Sequence, residues 1–129
     1  MLSRRSLLTF AALGFAPSLA SAFEIQPYDA AKAQAAIASG KPVVLHVYAN
    51  WCPQCHMQKS ILDSLKTAGT YDSVAFFRVD YDNQKDVVAK LGCPRSTVIA
   101  YKDGKEIKRM SWGVTQAAVE DVLKATLAK

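Results

Sequence analysis

Two of the three cysteines in this 129-residue sequence have two residues between them, in Trp51-Cys52-Pro53-Gln54-Cys55. That spacing admits three chemistries. As a dithiol, the pair can exchange with a disulfide: a helix opening at Pro53 puts Cys52 at its N-terminus, where unpaired backbone N–H groups and the helix dipole favour a thiolate. Cys55, one turn further in, is then close enough to attack a mixed disulfide and release the partner. Read with His56, the same residues spell C-x-x-C-H, an attachment motif for c-type haem, with Met57 and Met110 as candidate axial ligands. Read with Cys93 and His56, they offer a soft donor set for copper or zinc. The haem reading has the surroundings against it, because small c-type cytochromes are mostly helical and lack a β-branched strand ending at the motif. The metal reading draws its ligands from one short motif and one loop.

The residues around the motif supply the elements that must hold it. Val43 to Tyr48 is an apolar, β-branched run suited to a strand buried on both faces. Pro53 fits a first helical turn, where its missing N–H matters little, and Met57, Ile61, Leu62 and Leu65 recur at helical spacing up to about Leu65. Further strands are expected at Phe23 to Gln26 and Val74 to Val79, and helices at Asp29 to Ala38 and Gln84 to Leu91. Thr97 to Tyr101 and Glu106 to Met110 flank Lys102-Asp103-Gly104, a hairpin signal, and Thr115 caps a last helix running to about Leu127. The order β-α-β-α-β-α-β-β-α implies parallel pairing by crossover plus an antiparallel hairpin in one sheet. The open site then falls at the carboxyl end of the Val43–Tyr48 strand.

The N-terminus reads as an address. Arg4-Arg5 precedes an apolar run from Leu7 to Leu19 and then Ala20-Ser21-Ala22, the form of a secretory leader cleaved after Ala22. Ser3-Arg4-Arg5-Ser6-Leu7-Leu8 also has the look of a twin-arginine signal. The organisation expected is a leader over residues 1–22 and one domain over residues 23–129, periplasmic or secreted, where disulfides persist. Half the residues are hydrophobic and 21% charged, which suits one globular core. The formal charge of +5 falls to +3 without the two leader arginines, and the remaining Lys and Asp are mixed. Without a basic block, nucleic acid is not the expected partner, and Tyr48, Trp51 and Trp112 read as packing and rim residues. Asp80, Asp82 and Asp86 read as a solvated loop and helix start.

In its apolar strand, Trp51-Cys52-Pro53-Gln54-Cys55, Val79-Asp80, Lys102-Asp103-Gly104 and Gly113, the sequence resembles the thioredoxin family over essentially the whole chain after the leader. The resemblance implies the thioredoxin fold, a three-layer α/β/α domain with a mixed sheet of about five strands. It implies thiol–disulfide exchange on protein disulfides, Cys52 as nucleophile, Cys55 as resolving thiol, and no cofactor beyond their redox-active disulfide. Trp51 would cover one side of the pair and leave Cys52 accessible. The compact form resembles reducing members that draw electrons from a membrane donor, and a monomer is expected.

The sequence departs from the family at three places. Pro53-Gln54 replaces the usual Gly-Pro between the cysteines. His46 stands where the family has a buried acid, either as a proton relay to Cys55 or as a neutral core histidine bonded to backbone. The family's cis-proline falls on Ser96, followed by Thr97, in the expected substrate-binding loop; Pro94 lies two residues too early, and a trans Ser96 is the expected outcome. Cys93, the odd cysteine, is either a small buried residue or a regulatory thiol near the site.

Overall fold

The computed structural model describes residues 23–129 and Gly14; the expected leader, apart from that glycine, lies outside the described residues. Five strands and four helices alternate as β1 (Ile25–Pro27), α1 (Ala30–Ala38), β2 (Val43–Tyr48), α2 (Pro53–Lys66), β3 (Ala75–Asp80), α3 (Lys85–Leu91), β4 (Thr97–Lys102), β5 (Lys105–Ser111) and α4 (Gln116–Ala125). The sheet order is β1-β3-β2-β4-β5. β2 pairs parallel with β3 and antiparallel with β4, and the β4–β5 hairpin closes one edge. The expected mixed sheet is present.

β2 lies in the centre of the sheet and alternates its side chains between two cores. Val44 faces a cluster with Leu62, Leu65, Phe76, Val98, Val119 and Val122, built on α2 and α4. Val43 and Leu45 face the other side, with Ala33, Phe77 and Ile99. Asp29 and Thr115 cap α1 and α4 through their side chains, each accepting an N–H three residues on, as short polar residues at such positions do.

The main differences from the sequence reading are at the first strand, the last helix and the inward face of α2. The first strand begins at Ile25, because Phe23 turns inward to stack on Phe76 with ring centroids 4.0 Å apart. The last helix ends at Ala125, with Thr126 as its cap. On α2 the buried face is Cys55, Gln58, Leu62 and Leu65. Met57, expected in the core, is 50% exposed, and polar Gln58 takes the inward place because partners await it there.

This register sets a contrast on one helix. Leu62→Ala should destabilise the protein by about 2–5 kcal/mol through lost burial and a cavity. Met57→Ala should stay within about 0.5 kcal/mol. Urea unfolding of the two variants measures both.

Candidate active site

The chain leaves β2 at Tyr48, turns through Ala49-Asn50-Trp51 with Cys52 N–H bonded to Ala49 O at 3.1 Å, and enters α2. Cys52 is the N-cap of that helix and Pro53 its first residue, so the sulfur takes the place usually held by a capping oxygen. Cys52 Sγ accepts the backbone N–H of Cys55 at 3.2 Å. Both thiols are free, and Cys55 Sγ donates to Val47 O at 3.9 Å.

Burial by itself raises the Cys52 thiol. The Cys55 thiol, the Cys55 backbone and the Arg95 guanidinium outweigh it, and the net displacement is downward. Cys55 goes the other way, to about 11: burial, then its hydrogen bond to Cys52, hold the proton on, while the Ala49 backbone and the Ser96 hydroxyl pull weakly against them. The two thiols are displaced in opposite directions, so Cys52 ionises before Cys55.

Cys52 was expected to be accessible, yet it is 0% exposed. Its cover includes the Gln54 side chain, whose Oε1 accepts from the Cys52 thiol at 3.7 Å, so the unusual dipeptide lays an amide over the reacting sulfur. Trp51 is 53% exposed, donates Nε1–H to Asp82 Oδ2 at 2.9 Å, and packs edge-on against Tyr81.

His46 is buried beneath the motif, its Nε2 3.0 Å from Gln58 Oε1. The Gln58 amide nitrogen donates to Ser96 O at 3.1 Å and Gly113 O at 2.8 Å. Two carbonyl acceptors on the nitrogen leave the oxygen for histidine, so His46 carries its proton on Nε2. Burial, then the Arg78 guanidinium, lower its pKa to about 3. The bond runs to a side chain, not to backbone as the neutral-core reading had it, and His46 Nδ1 has no partner among the described residues.

No peptide bond among the described residues is cis, so Pro94 and Ser96 are both trans. Ser96 instead adopts a left-handed backbone, φ 61°, with its N–H bonded to Val47 O at 2.9 Å and its carbonyl accepting from Trp112 N–H at 2.8 Å. Ser96 and Thr97 are both buried, and Thr97 Oγ1 turns inward to Pro94 O and Ser111 Oγ. The loop's outer surface belongs to Pro94 and Arg95. Arg95 and Gln54 are the site residues that the sequence reading passed over; an arginine next to the cis-proline position was the available signal.

The remaining candidates lie apart from the sulfurs. Cys93 packs with Leu91 and Tyr101 against the Leu45 and Ile99 core, a different cluster from that of Cys52 and Cys55, and burial raises its thiol. His56 is bound to the Tyr48 hydroxyl and Asn50 O. Met110 Sδ accepts Gly113 N–H at 3.0 Å, and Met57 points outward. Asp80 accepts from Asp82 N–H and from Asn83, closing a turn. Among the described residues no group of three or more His, Cys, Asp or Glu is placed to hold a metal ion. A cleft of about 290 Å³ opens beside the motif near Tyr48, Arg78 and Asp80, and neither cysteine lines it.

A domain with a central mixed sheet and a dithiol at the start of the helix after the central strand is a class of its own. The thioredoxin family profile matches residues 24–125. Thioredoxin-2 of Saccharomyces cerevisiae is 34% identical over 101 residues, which is 77% of this chain and 94% of that protein. The structure of Trxlp from Edwardsiella tarda has a TM-score of 0.70 at 34% identity, over 76% of this chain and 96% of that one. Mitochondrial thioredoxin 3 of S. cerevisiae, in its oxidized form, has 0.67 at 26%, over 78% and 93%. The chain belongs to the thioredoxin family, and its activity is thiol–disulfide exchange.

The buried histidine gives the protein an acid limit. Unfolded, His46 binds a proton below about pH 6.5, whereas folded it resists until about pH 3. Stability contributed by the neutral ring is therefore complete above pH 6.5 and falls by about 1.4 kcal/mol per pH unit on the way down. His46→Leu should flatten that limb in urea titrations between pH 6.5 and 4, at a loss of about 1 kcal/mol at neutral pH for the bond to Gln58.

Proposed function

We propose that this chain is an exported reductant of disulfides in other proteins, with Cys52 as the attacking and Cys55 as the resolving thiol. The observation that carries the reading is Cys52 at the N-cap of α2, its sulfur accepting the Cys55 N–H, with Cys55 one turn further in; the opposite displacement of the two thiols agrees with it. Cys52 thiolate attacks one sulfur of a partner disulfide. A Cys52–partner bond forms, the partner's S–S bond breaks, and the electron pair leaves on the other partner sulfur, which takes a proton. Cys52 has then lost its charge and its hydrogen bond from Cys55, two of the influences that hold the Cys55 proton in place. Cys55 gives up that proton, attacks Cys52 Sγ and expels the second partner thiolate. The chain ends as a Cys52–Cys55 disulfide, and the partner has gained two electrons and two protons.

His46 takes up no proton in this sequence, since it stays neutral over the working range. Direction is supported by the correspondence with Thioredoxin-2 along 94% of that protein's length. Export is supported by Arg4-Arg5, the apolar run and Ala20-Ser21-Ala22. Outside the cytoplasm the disulfide needs a donor to return it to the dithiol, and a membrane electron donor fills that place. The protein works as a monomer.

Reduced protein at neutral pH should show alkylation of Cys52 far faster than of Cys55, and equal rates would remove the two roles. Cys55→Ser should trap mixed disulfides with partner proteins, and Cys52→Ser should trap none. With dithiothreitol as donor the protein should reduce insulin, at a potential nearer about −270 mV than about −120 mV. A potential above about −180 mV would overturn the reductive direction and leave the exchange chemistry standing. Intact mass of exported protein should begin at Phe23.

A further inference from the structure

Arg95 is held in a way that the roles of Cys52 and Cys55 do not require. Its guanidinium carbon lies 4.6 Å from the centroid of the Trp51 ring and 4.9 Å from that of Trp112, a cation between two indoles. Both rings are partly open to solvent, Trp51 at 53% and Trp112 at 42%, so they form the rim of the site. The Arg95 Nε is buried and has no partner among the described residues.

The backbone on either side is strained to make this arrangement. Ser96 and Trp112 both lie in the left-handed region, at φ 61° and 69°. Bulky side chains rarely adopt that conformation, and such outliers collect where function requires a set geometry. Here the two residues are joined by the bond from Trp112 N–H to Ser96 O at 2.8 Å. That bond ties the loop carrying Arg95 to the strand end carrying Trp112. Trp51, from the other side, is fixed by Asp82. Three separate segments thus converge on one guanidinium.

The clamp lies at the dithiol: Trp51 precedes Cys52 in the chain, and Val47 O accepts both the N–H of Ser96, next to Arg95, and the Cys55 thiol. Cys52 has Cys55 beside it on α2 and Arg95 beside it from the loop before β4, and these are the groups that act on its ionisation. Asp82 is turned to the Trp51 indole, and His56 to Tyr48 and Asn50. We propose that Arg95, clamped between Trp51 and Trp112, is a further catalytic residue: the fixed cation that takes up the negative charge on Cys52 in the resting dithiol and during its attack on a partner disulfide. A guanidinium keeps its charge at every working pH, and a preorganised charge needs no rearrangement as the electron pair moves between sulfurs. The faces of the two indoles attract the cation and hold it in place. The proposal rests on the assignment of Cys52 as nucleophile.

The test is the pH dependence of Cys52 alkylation by iodoacetamide in the reduced full chain, read alongside its thermal melting. Arg95→Gln should move the profile to higher pH and lower the rate below the wild-type midpoint about tenfold, with the Cys55 rate and the melting unchanged. Arg95→Lys, which keeps the charge without the stacked plane, should recover part of that loss. Trp112→Gly relieves the left-handed backbone and removes one ring; it should fold and move the profile in the same direction by less. An Arg95→Gln profile that overlays wild type overturns the proposal, and so does full recovery of the profile with any neutral residue at 95. If the wild type alkylates Cys55 as fast as Cys52, the nucleophile assignment itself fails, which is a different result from an Arg95 variant that behaves as wild type.

Discussion

One side chain, Gln58, ties together the parts that surround the dithiol. Its amide joins His46 on β2, Ser96 in the loop before β4 and Gly113 in the loop before α4, all from the second turn of α2. Both N–H groups and the oxygen of the amide are engaged, so none of the three neighbours can shift without leaving a buried polar group unpaired, at about 1–3 kcal/mol. The loops that Gln58 holds carry Arg95 and Trp112 into place around Cys52. Gly113 completes the constraint: a Cβ there would stand 2.5 Å from Met110 Sδ and 2.9 Å from Ala118 Cβ, so the loop closes this tightly only with glycine.

This arrangement also explains how the chain works without the family's buried acid. A carboxylate under the motif would need a positive or hydrogen-bonding partner, and could exchange protons with Cys55. His46 is neutral, bonded on one nitrogen and without a partner on the other among the described residues, with Arg78 beside it opposing protonation. The position has become part of the internal bracing, and control of the sulfurs has passed to groups around them: the Cys55 N–H, the Gln54 amide and Arg95.

Much of the fold was legible because local signals and burial agree. Val43–Tyr48 is apolar throughout and is the central strand; Asp29 and Thr115 cap the helices that follow them; the turn at Lys102-Asp103-Gly104 lies between the last two strands. The motif's place at a helix start followed from Pro53 and the helical spacing of the apolar residues after it. The α2 face was misread at Met57 because periodicity counts apolar residues, and the inward residue is a glutamine whose partners lie 12, 38 and 55 positions away in the chain. Ser96 was legible as a trans residue, but not its left-handed backbone, which depends on pairing with Trp112. The Arg95 clamp was hidden for the same reason, since Trp51, Arg95 and Trp112 come from three segments with no shared local pattern.

The edges of the sheet bear on what such a protein can safely touch. β1 is only three residues long and ends at Pro27, and β5 carries Lys105, Glu106, Lys108 and Arg109 along an exposed border. A proline lacks the N–H that a visiting strand would seek, and a charged border discourages pairing with a foreign chain. A protein that exchanges disulfides with other polypeptides meets loose, sticky backbone at every encounter. Blunted edges confine that meeting to the sulfur, so each partner departs once the exchange is complete instead of adding itself to the sheet.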